Sequence, residues 1–302
     1  MSVILPTVDG TGACREVARL LQPDDELLVV CDMETDPIVN AGADLPAWAR
    51  VVVAGTPRAC SGKANAVAAG IEAASHDRLL MTDDDFSRPD SWVEQLCADY
   101  ERTGPASELP VFVGRDPLSS LLEPLYACGT LALDRGDVAW GGALIFDRSD
   151  IDEPGVCREL RQTVSDDGLL SERLDVTQHR RCRRVAVGGT VRESLERHVR
   201  FLQIFRWFAP RALVTASVAS VLLAAVCVLV PAVGALVVTG LSASIYAAFG
   251  LKRRTVLCGV GSVVLFLPLL VYGLSRRTFV WSGRRYRWQG KFDTEVVASA
   301  EE

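Results

Sequence analysis

The sequence predicts an α/β domain with a parallel sheet and helices on both faces, followed by an α-helical transmembrane region. Three observations carry this. Short apolar runs that suit buried strands alternate with helix-period segments through residue 209. From Ala212 to Gly250, thirty-nine residues pass without a charge, and Thr255–Leu274 adds twenty more. The charge divides in the same place. Residues 1–199 hold twenty Lys/Arg against thirty-four Asp/Glu, whereas residues 200–291 hold twelve Lys/Arg and no acid. An acidic first part joined to a basic, apolar second part is the pattern of a membrane-associated C-terminal region.

The expected organisation is a catalytic-type domain over 1–209, apolar helices within 210–275 (about 212–230, 232–250 and 255–274), and a basic juxtamembrane segment with an acidic tail over 276–302. The chain is long enough to bury a full core. Nine cysteines, none spaced Cys-x-x-Cys, fit neither a zinc pattern nor a small disulfide framework, so free thiols in a reducing compartment are expected. No basic segment followed by a long apolar one opens the chain, and the first 200 residues are expected on the cytoplasmic side of a cell membrane. Neither a nucleic acid nor an obligate protein partner is expected.

Taken in order, Ser2–Pro6 reads as a first strand and Cys14–Leu21 as a helix. Glu26–Cys31 is a second strand, ending at Asp32, and Val51–Ala54 a third. Ser61 is placed to cap a helix that runs to about Ala74. Arg78–Met81 is a fourth strand, running into Asp83-Asp84-Asp85. A helix over Pro89–Tyr100, a strand at Leu109–Val113 and a helix over Pro117–Leu133, interrupted by Pro124, come next. Trp140–Phe146 reads as a strand, Ser165 starts a helix, Arg183–Val187 is a short last strand, and Arg192–Phe208 is a helix rich in Arg and aromatics.

The apolar segments pose a topological problem. Basic clusters lie before the first (Arg206, Arg211), after the second (Lys252–Arg254) and after the third (Arg276 to Lys291). The positive-inside rule wants all three on one side, and three full crossings cannot satisfy it. Either one segment is re-entrant or interfacial, or one cluster lies outside. Gly259, Gly261 and Pro268 make the third segment the candidate for irregularity.

The chemistry centres on the acidic triplet. Carboxylates fanning from a strand end can hold a divalent cation and, through it, a diphosphate. Taken alone, Asp83-x-Asp85 fits an acidic surface turn equally well. Asp32 occupies the same kind of position on another strand, and strand ends line the ligand crevice of open α/β sheets. Gly62-Lys63 at a helix start offers N–H groups and a cation to a phosphate; Lys63 is one of only three lysines. Asp166-Asp167 supplies a further pair, which could take a proton from a hydroxyl or simply charge a helix start. Gln203-Ile204-Phe205-Arg206-Trp207 fits an interfacial anchor as well as a site.

Together, Asp32, Gly62–Val67 (GKANAV), Thr82–Phe86 (TDDDF), Trp140–Phe146 (WGGALIF), Ser165–Leu170 (SDDGLL), Gln203–Trp207 (QIFRW) and Thr278–Tyr286 (TFVWSGRRY) resemble the family 2 inverting glycosyltransferases. The branch they resemble is the membrane-bound one of ceramide glucosyltransferases and polysaccharide synthases. The resemblance implies a GT-A fold, a nucleotide-sugar donor, UDP-linked in most relatives, and Mg²⁺ or Mn²⁺. It implies roles by position: Asp32, Lys63, Asp83, Gln203, Arg206 and Trp207 toward the nucleotide-sugar; Asp83 and Asp85 toward the metal; Asp167 as the base; Gly141 and Gly142 along the acceptor pocket. The first strand departs from the relatives, running into Pro6-Thr7-Val8-Asp9 where they carry Asn-Glu, with Asp9 a possible stand-in. The expected activity is sugar transfer to a lipid or lipid-linked acceptor at the membrane. A processive polysaccharide synthase and an inactive membrane scaffold are the alternatives.

Overall fold

A computed structural model of the protein describes residues 1–41, 45–136 and 138–299. The chain forms two compact units. The first comprises Met1–Pro110, Gly136–Arg183 and Gln289–Val296; the second comprises Val111–Arg135, Arg184–Trp288 and Val297–Glu302. The last three residues of the expected acidic tail lie outside the described residues.

In the first unit, β1 (Ser2–Pro6), β2 (Glu26–Cys31) and β4 (Arg78–Thr82) make the centre of the sheet, with β3 (Ala49–Val53) at one edge. Their side chains explain the placement. Val3, Ile4, Leu5, Leu27 to Val30 and Leu79 to Met81 are apolar on both faces and fully buried, as strands covered on two sides must be. β1 runs parallel to β2 (Ser2 opposite Glu26) and to β4 (Ser2 opposite Leu79), and β2 parallel to β3. Their carboxyl ends therefore share one sheet edge, and Asp32 and Asp83 both leave from it.

One strand of the sheet, β6, is reversed against both its neighbours, which corrects the expectation of an all-parallel sheet. β6 (Ala143–Asp147) runs against β4, with Thr82 opposite Ala143 and Arg78 opposite Asp147. The Arg78–Asp147 ion pair fixes that register. β5 (Ala106–Gly114) runs against β6, and β7 (Thr177–Val187) completes the order β3-β2-β1-β4-β6-β5-β7. Trp140-Gly141-Gly142, expected within the β6 strand, forms the turn that enters it.

The helices follow from composition. α1 (Thr11–Leu20) turns Cys14, Val17 and Ala18 inward, and α2 (Pro37–Ala41) is a single short turn. α3 (Gly62–Ala73) is built of small residues and packs closely on β1 and β2. A Cβ at Gly70 would stand 2.4 Å from Ile4 Cγ2, so only glycine permits this approach. α4 (Trp92–Thr103), α7 (Glu153–Leu160) and α8 (Asp166–Arg173) complete the unit, α7 being unexpected from sequence. β10 (Asp293–Ser299) bonds back, Val296 N–H donating to Arg58 O. A buried ion-pair centre lies under α4. Glu108, fully buried, accepts from Arg181 (2.6 Å), Arg183 and Trp92 Nε1 (3.1 Å).

In the second unit, Asp116 caps α5 (Pro117–Leu121) and accepts from Ser194 Oγ at 2.6 Å. Despite burial, these hydrogen bonds hold its pKa down to about 2. α6 (Glu123–Gly136) begins a new helix, and Pro124 occupies its first turn, where no N–H is needed. Thr190 and Glu193 form a capping box on α9 (Val191–Phe208). α10 (Pro210–Leu229) and α11 (Pro231–Ala248) each begin with proline at the first position, and α12 is Gly259–Ser275. Residues 276–288, expected as a basic juxtamembrane segment, pair instead: β8 (Thr278–Trp281) and β9 (Arg284–Gly290) form a hairpin over Ser282-Gly283, both with positive φ (47° and 71°).

Removing one partner of a buried ion pair strands the others. Glu108→Ala is therefore expected to destabilise the folded chain by about 3 kcal/mol or more. Urea unfolding of the detergent-solubilised protein measures this.

Candidate active site

The site lies at the sheet edge where β4 ends. Thr82 is the last strand residue, and Asp83, Asp84 and Asp85 form the turn that follows. Asp83 faces Lys63, with 2.8 Å between Oδ1 and Nζ. Lys63 also lies 3.1 Å from Asp166 Oδ2 and 3.7 Å from Asp167 Oδ1. One ammonium thus gathers three carboxylates from two distant segments. Burial opposes the Lys63 charge, but Asp166, Asp83 and Asp167 outweigh it and push its pKa well above the usual lysine range.

Local structure explains why these groups meet. Ser61 caps α3, accepting from Ala64 N–H at 3.0 Å, and donates its own hydroxyl to Val164 O at 2.7 Å. Its N–H donates to Thr163 O at 3.1 Å. The start of α3 is thereby pinned to the residues that lead into α8, which sets Lys63 beside Asp166 and Asp167. Asn65 ties the same helix to the loop after β3, donating to Gly55 O at 2.7 Å. Ser165 caps α8 through Gly168 N–H (3.0 Å), which fixes where the aspartate pair projects.

Gly141 completes the cluster. Its N–H donates to Asp167 Oδ1 at 2.7 Å. A Cβ there would stand 2.6 Å from Asp167 Oδ1, 2.8 Å from Asp166 Oδ2 and 3.3 Å from Lys63 Nζ, so the cradle exists because the residue is glycine. At Gly142 a Cβ would collide with the Trp140 ring, at 2.3 Å. The two carboxylates of the pair differ. Asp166 is buried against Lys63, while the Asp167 side chain is 35% exposed at the mouth. Desolvation, then repulsion from Asp166 and Asp83, raise Asp167 to about 7 against the pull of Lys63. That places a carboxylate in the range suited to proton transfer near neutrality.

The sequence missed the supports of the triplet. Arg88, with a fully buried side chain, donates to Thr82 Oγ1 (2.7 Å), Phe86 O (3.0 Å) and Asp83 O, and its guanidinium stacks 4.1 Å from the Phe86 ring. Arg88 thus braces the whole Asp83–Phe86 turn. Nothing in its local pattern distinguishes it from a surface arginine. Asp84 reaches back to accept from Thr7 Oγ1, tying the turn to the loop after β1. Burial raises the Asp84 pKa, and the Thr7 bond opposes this.

The remaining sequence candidates fall as follows. Asp32 is buried at the end of β2, two strands from Asp83, with its N–H donating to Asp36 Oδ2 at 2.9 Å. Asp85 is exposed on the turn. Gln203, Arg206 and Trp207 belong to the second unit. There Gln203 Nε2 donates to Gly273 O (3.2 Å) and Arg276 O (2.8 Å), and Arg206 lies 5.0 Å over the Trp207 ring. Gln203 Oε1 and Trp207 Nε1 are buried without hydrogen-bond partners among the described residues.

The donor set at the triplet fits a hard divalent cation. Asp83 and Asp85 offer only carboxylate oxygens, the chemistry Mg²⁺ and Mn²⁺ prefer. Among the described residues no group of three or more His, Cys, Asp or Glu forms a metal cage. Two carboxylates that share a cation with substrate phosphates need no such cage.

With the site described, its relations can be stated. The profile of glycosyl transferase family 21 matches residues 23–291. The chain belongs to that family: it is a glycosyltransferase with a GT-A α/β domain, followed by three helices long and apolar enough to cross a membrane. The family matched is numbered 21, where the sequence resembled family 2; the ceramide glucosyltransferase side of that resemblance agrees. Among solved structures, a mycobacterial protein is similar at 19% identity, covering 67% of this chain and 73% of its own, with a TM-score of 0.40. Glucosyl-3-phosphoglycerate synthase from Mycobacterium tuberculosis, in complex with Mn²⁺ and UDP-glucose, is similar at 20% identity, covering 67% and 78%, with a TM-score of 0.40. The same enzyme with phosphoglyceric acid gives 22% identity over 62% and 70%, with a TM-score of 0.37. No curated protein matches the chain.

Gly141→Ala puts a methyl group into the space that Asp167 and Asp166 occupy. A displacement of this size is expected to lower sugar transfer about 100-fold. Far-ultraviolet circular dichroism should stay unchanged, and steady-state assays of both proteins check the loss.

Proposed function

We propose that the protein is a membrane-anchored inverting glycosyltransferase that moves a sugar from a nucleotide-sugar, UDP-linked, to a hydroxyl of a lipid or lipid-linked acceptor. The observation that carries this reading is the Asp167 carboxylate. It is raised to about 7, oriented by the Gly141 N–H, and poised beside a cationic Lys63 in a chain of glycosyl transferase family 21.

The residues divide the work. Lys63 holds Asp83, Asp166 and Asp167 in one cluster and offers positive charge toward a donor phosphate. Asp83 and Asp85 would hold Mg²⁺ or Mn²⁺. When bound, the cation supplies Lewis-acid stabilisation of the nucleoside diphosphate leaving group. Asp32 contacts the nucleoside from the end of β2. Asp167 takes the proton from the acceptor hydroxyl as its oxygen attacks the anomeric carbon and the carbon–oxygen bond to the diphosphate breaks. Attack from the side opposite the leaving group inverts that carbon. Gly141 and Gly142 keep the acceptor side open.

The Asp167 charge sets the pH behaviour. Its folded pKa lies above that of an unfolded aspartate, so the fold favours the neutral form. Its destabilising effect is absent below about pH 4 and complete above about pH 7. The base form, which catalysis needs, accumulates over the same upper range. Sugar transfer is expected to rise about tenfold per pH unit below 7 and to level off above it. Asp167→Asn is expected to lower transfer about 10²–10⁴-fold while raising the melting temperature at pH 8. Chelation of divalent cations is expected to stop transfer, and Mn²⁺ or Mg²⁺ to restore it. Nucleotide diphosphate release with a membrane lipid extract as acceptor reads all three. Full transfer by Asp167→Asn would overturn the assignment of the base.

A further inference from the structure

Three helices are long and apolar enough to span a bilayer, yet they are not alike. α10 is exposed nearly all round: Val214, Val218, Leu222, Val228 and Leu229 all face outward, and only Ala224 and Cys227 are buried. α10 and α11 form a hairpin. The missing Cβ of Gly234 lets the Cys227 backbone approach, a Cβ there standing 2.4 Å from Cys227 Cα. Each helix of 18–20 residues is about 27–30 Å long, the thickness of a hydrocarbon core. The hairpin returns the chain to Lys252–Arg254 on the side from which Arg206 and Arg211 left.

α12 packs on α10 and α11, with Gly259 against Val238 and Ser242 of α11, and is tied at both ends to polar elements of the second unit. Just before it, Arg253 pairs with Glu123 at the start of α6 (2.7 Å), and Thr255 Oγ1 donates to the same carboxylate. In its first turn Ser262 Oγ donates to Leu121 O in α5. In its last turns, a Cβ at Gly273 would stand 2.4 Å from Leu202 Cδ1, and Gln203 Nε2 donates to Gly273 O and Arg276 O. Leu202 and Gln203, late in α9, thus meet the end of α12, while its first turn meets α5. α5 is bound to the start of α9 by the Asp116–Ser194 hydrogen bond. α12 therefore lies between α5, beside its first turn, and α9, beside its last.

α9 cannot lie in hydrocarbon. Its eighteen residues include Arg192, Glu193, Glu196, Arg197, Arg200 and Arg206, each costly at bilayer depth. A helix pinned at its first turn to α5 and at its last turns to α9 stays at the level of those two helices. The two faces of α12 agree with this. Gly259, Ser262, Phe266 and Gly273 are buried on one face, while Val264 and Val271, seven residues apart, are exposed on the other, in line with Leu257 before the helix. We infer that α10 and α11 are the crossing pair, and that α12 lies in the membrane interface on the face where α9 lies, with Val264 and Val271 against lipid acyl chains. All three basic clusters, including Arg276 to Lys291, then share one side, as the positive-inside rule asks.

The test uses the full chain with an epitope tag at each end, in sealed membrane vesicles of one orientation. The inference expects antibody to reach both tags from the same face. Val230→Cys, in the α10–α11 turn, is expected to add label from a membrane-impermeant maleimide, over the native cysteines of the parent chain, only from the opposite face. Tags on opposite faces mean three crossings and would overturn the assignment of α12. Labelling of Val230→Cys from the face of the tags would overturn the crossing hairpin. Neither readout involves sugar transfer, so the result stands apart from the proposed activity.

Discussion

The Lys63 ammonium beneath Asp83, Asp166 and Asp167 is the interaction on which the site depends. Three carboxylates close together repel one another and resist ionising together. A single cation 2.8–3.7 Å from all three lets them share one corner of the sheet. Buried ion pairs contribute little net stability, because the desolvation they require offsets the attraction they gain. What the cluster supplies is position. It brings the end of β4 and the start of α8 to one point. It also leaves Asp167, at the mouth, with a proton held less weakly than a surface carboxylate would hold it.

Further hydrogen bonds set that geometry from outside. Ser61 ties α3 to Thr163 and Val164, and Arg88 braces the turn that carries the acidic triplet. Glycine at 141 gives both an N–H and empty space. Each of these acts on the charged groups without touching a substrate, so the chemistry of the corner rests on residues that are themselves unremarkable.

Much of this was legible in the residues. Strand runs such as Leu27–Val30 are apolar on both faces and announce buried strands. Ser61 and Ser165 announce helix starts by their capping chemistry. The order of the acidic motifs pointed to the chemistry, and Lys63, Asp83, Asp167 and Gly141 do meet. Other features were hidden for physical reasons. The antiparallel direction of β6 depends on pairing across distant segments, to which local periodicity is blind. Arg88 looks like any arginine until burial gives it three oxygens to bind. The hairpin at 278–290 had a visible signal, a Ser-Gly pair between alternating aromatics, masked by the density of arginines around it. In α12, composition gave length and apolarity but not the helix beside it. Only the contacts to α5 and α9 separate an interfacial helix from a crossing one.

The central claim is that Asp83 and its neighbours form a metal-assisted nucleotide-sugar site. Calorimetric titration of UDP-glucose into the detergent-solubilised chain tests it most directly, with and without Mn²⁺, and with Asp83→Asn in parallel. The account predicts binding that requires Mn²⁺ and is lost in Asp83→Asn. Equal binding with and without the metal, or in both proteins, would contradict it.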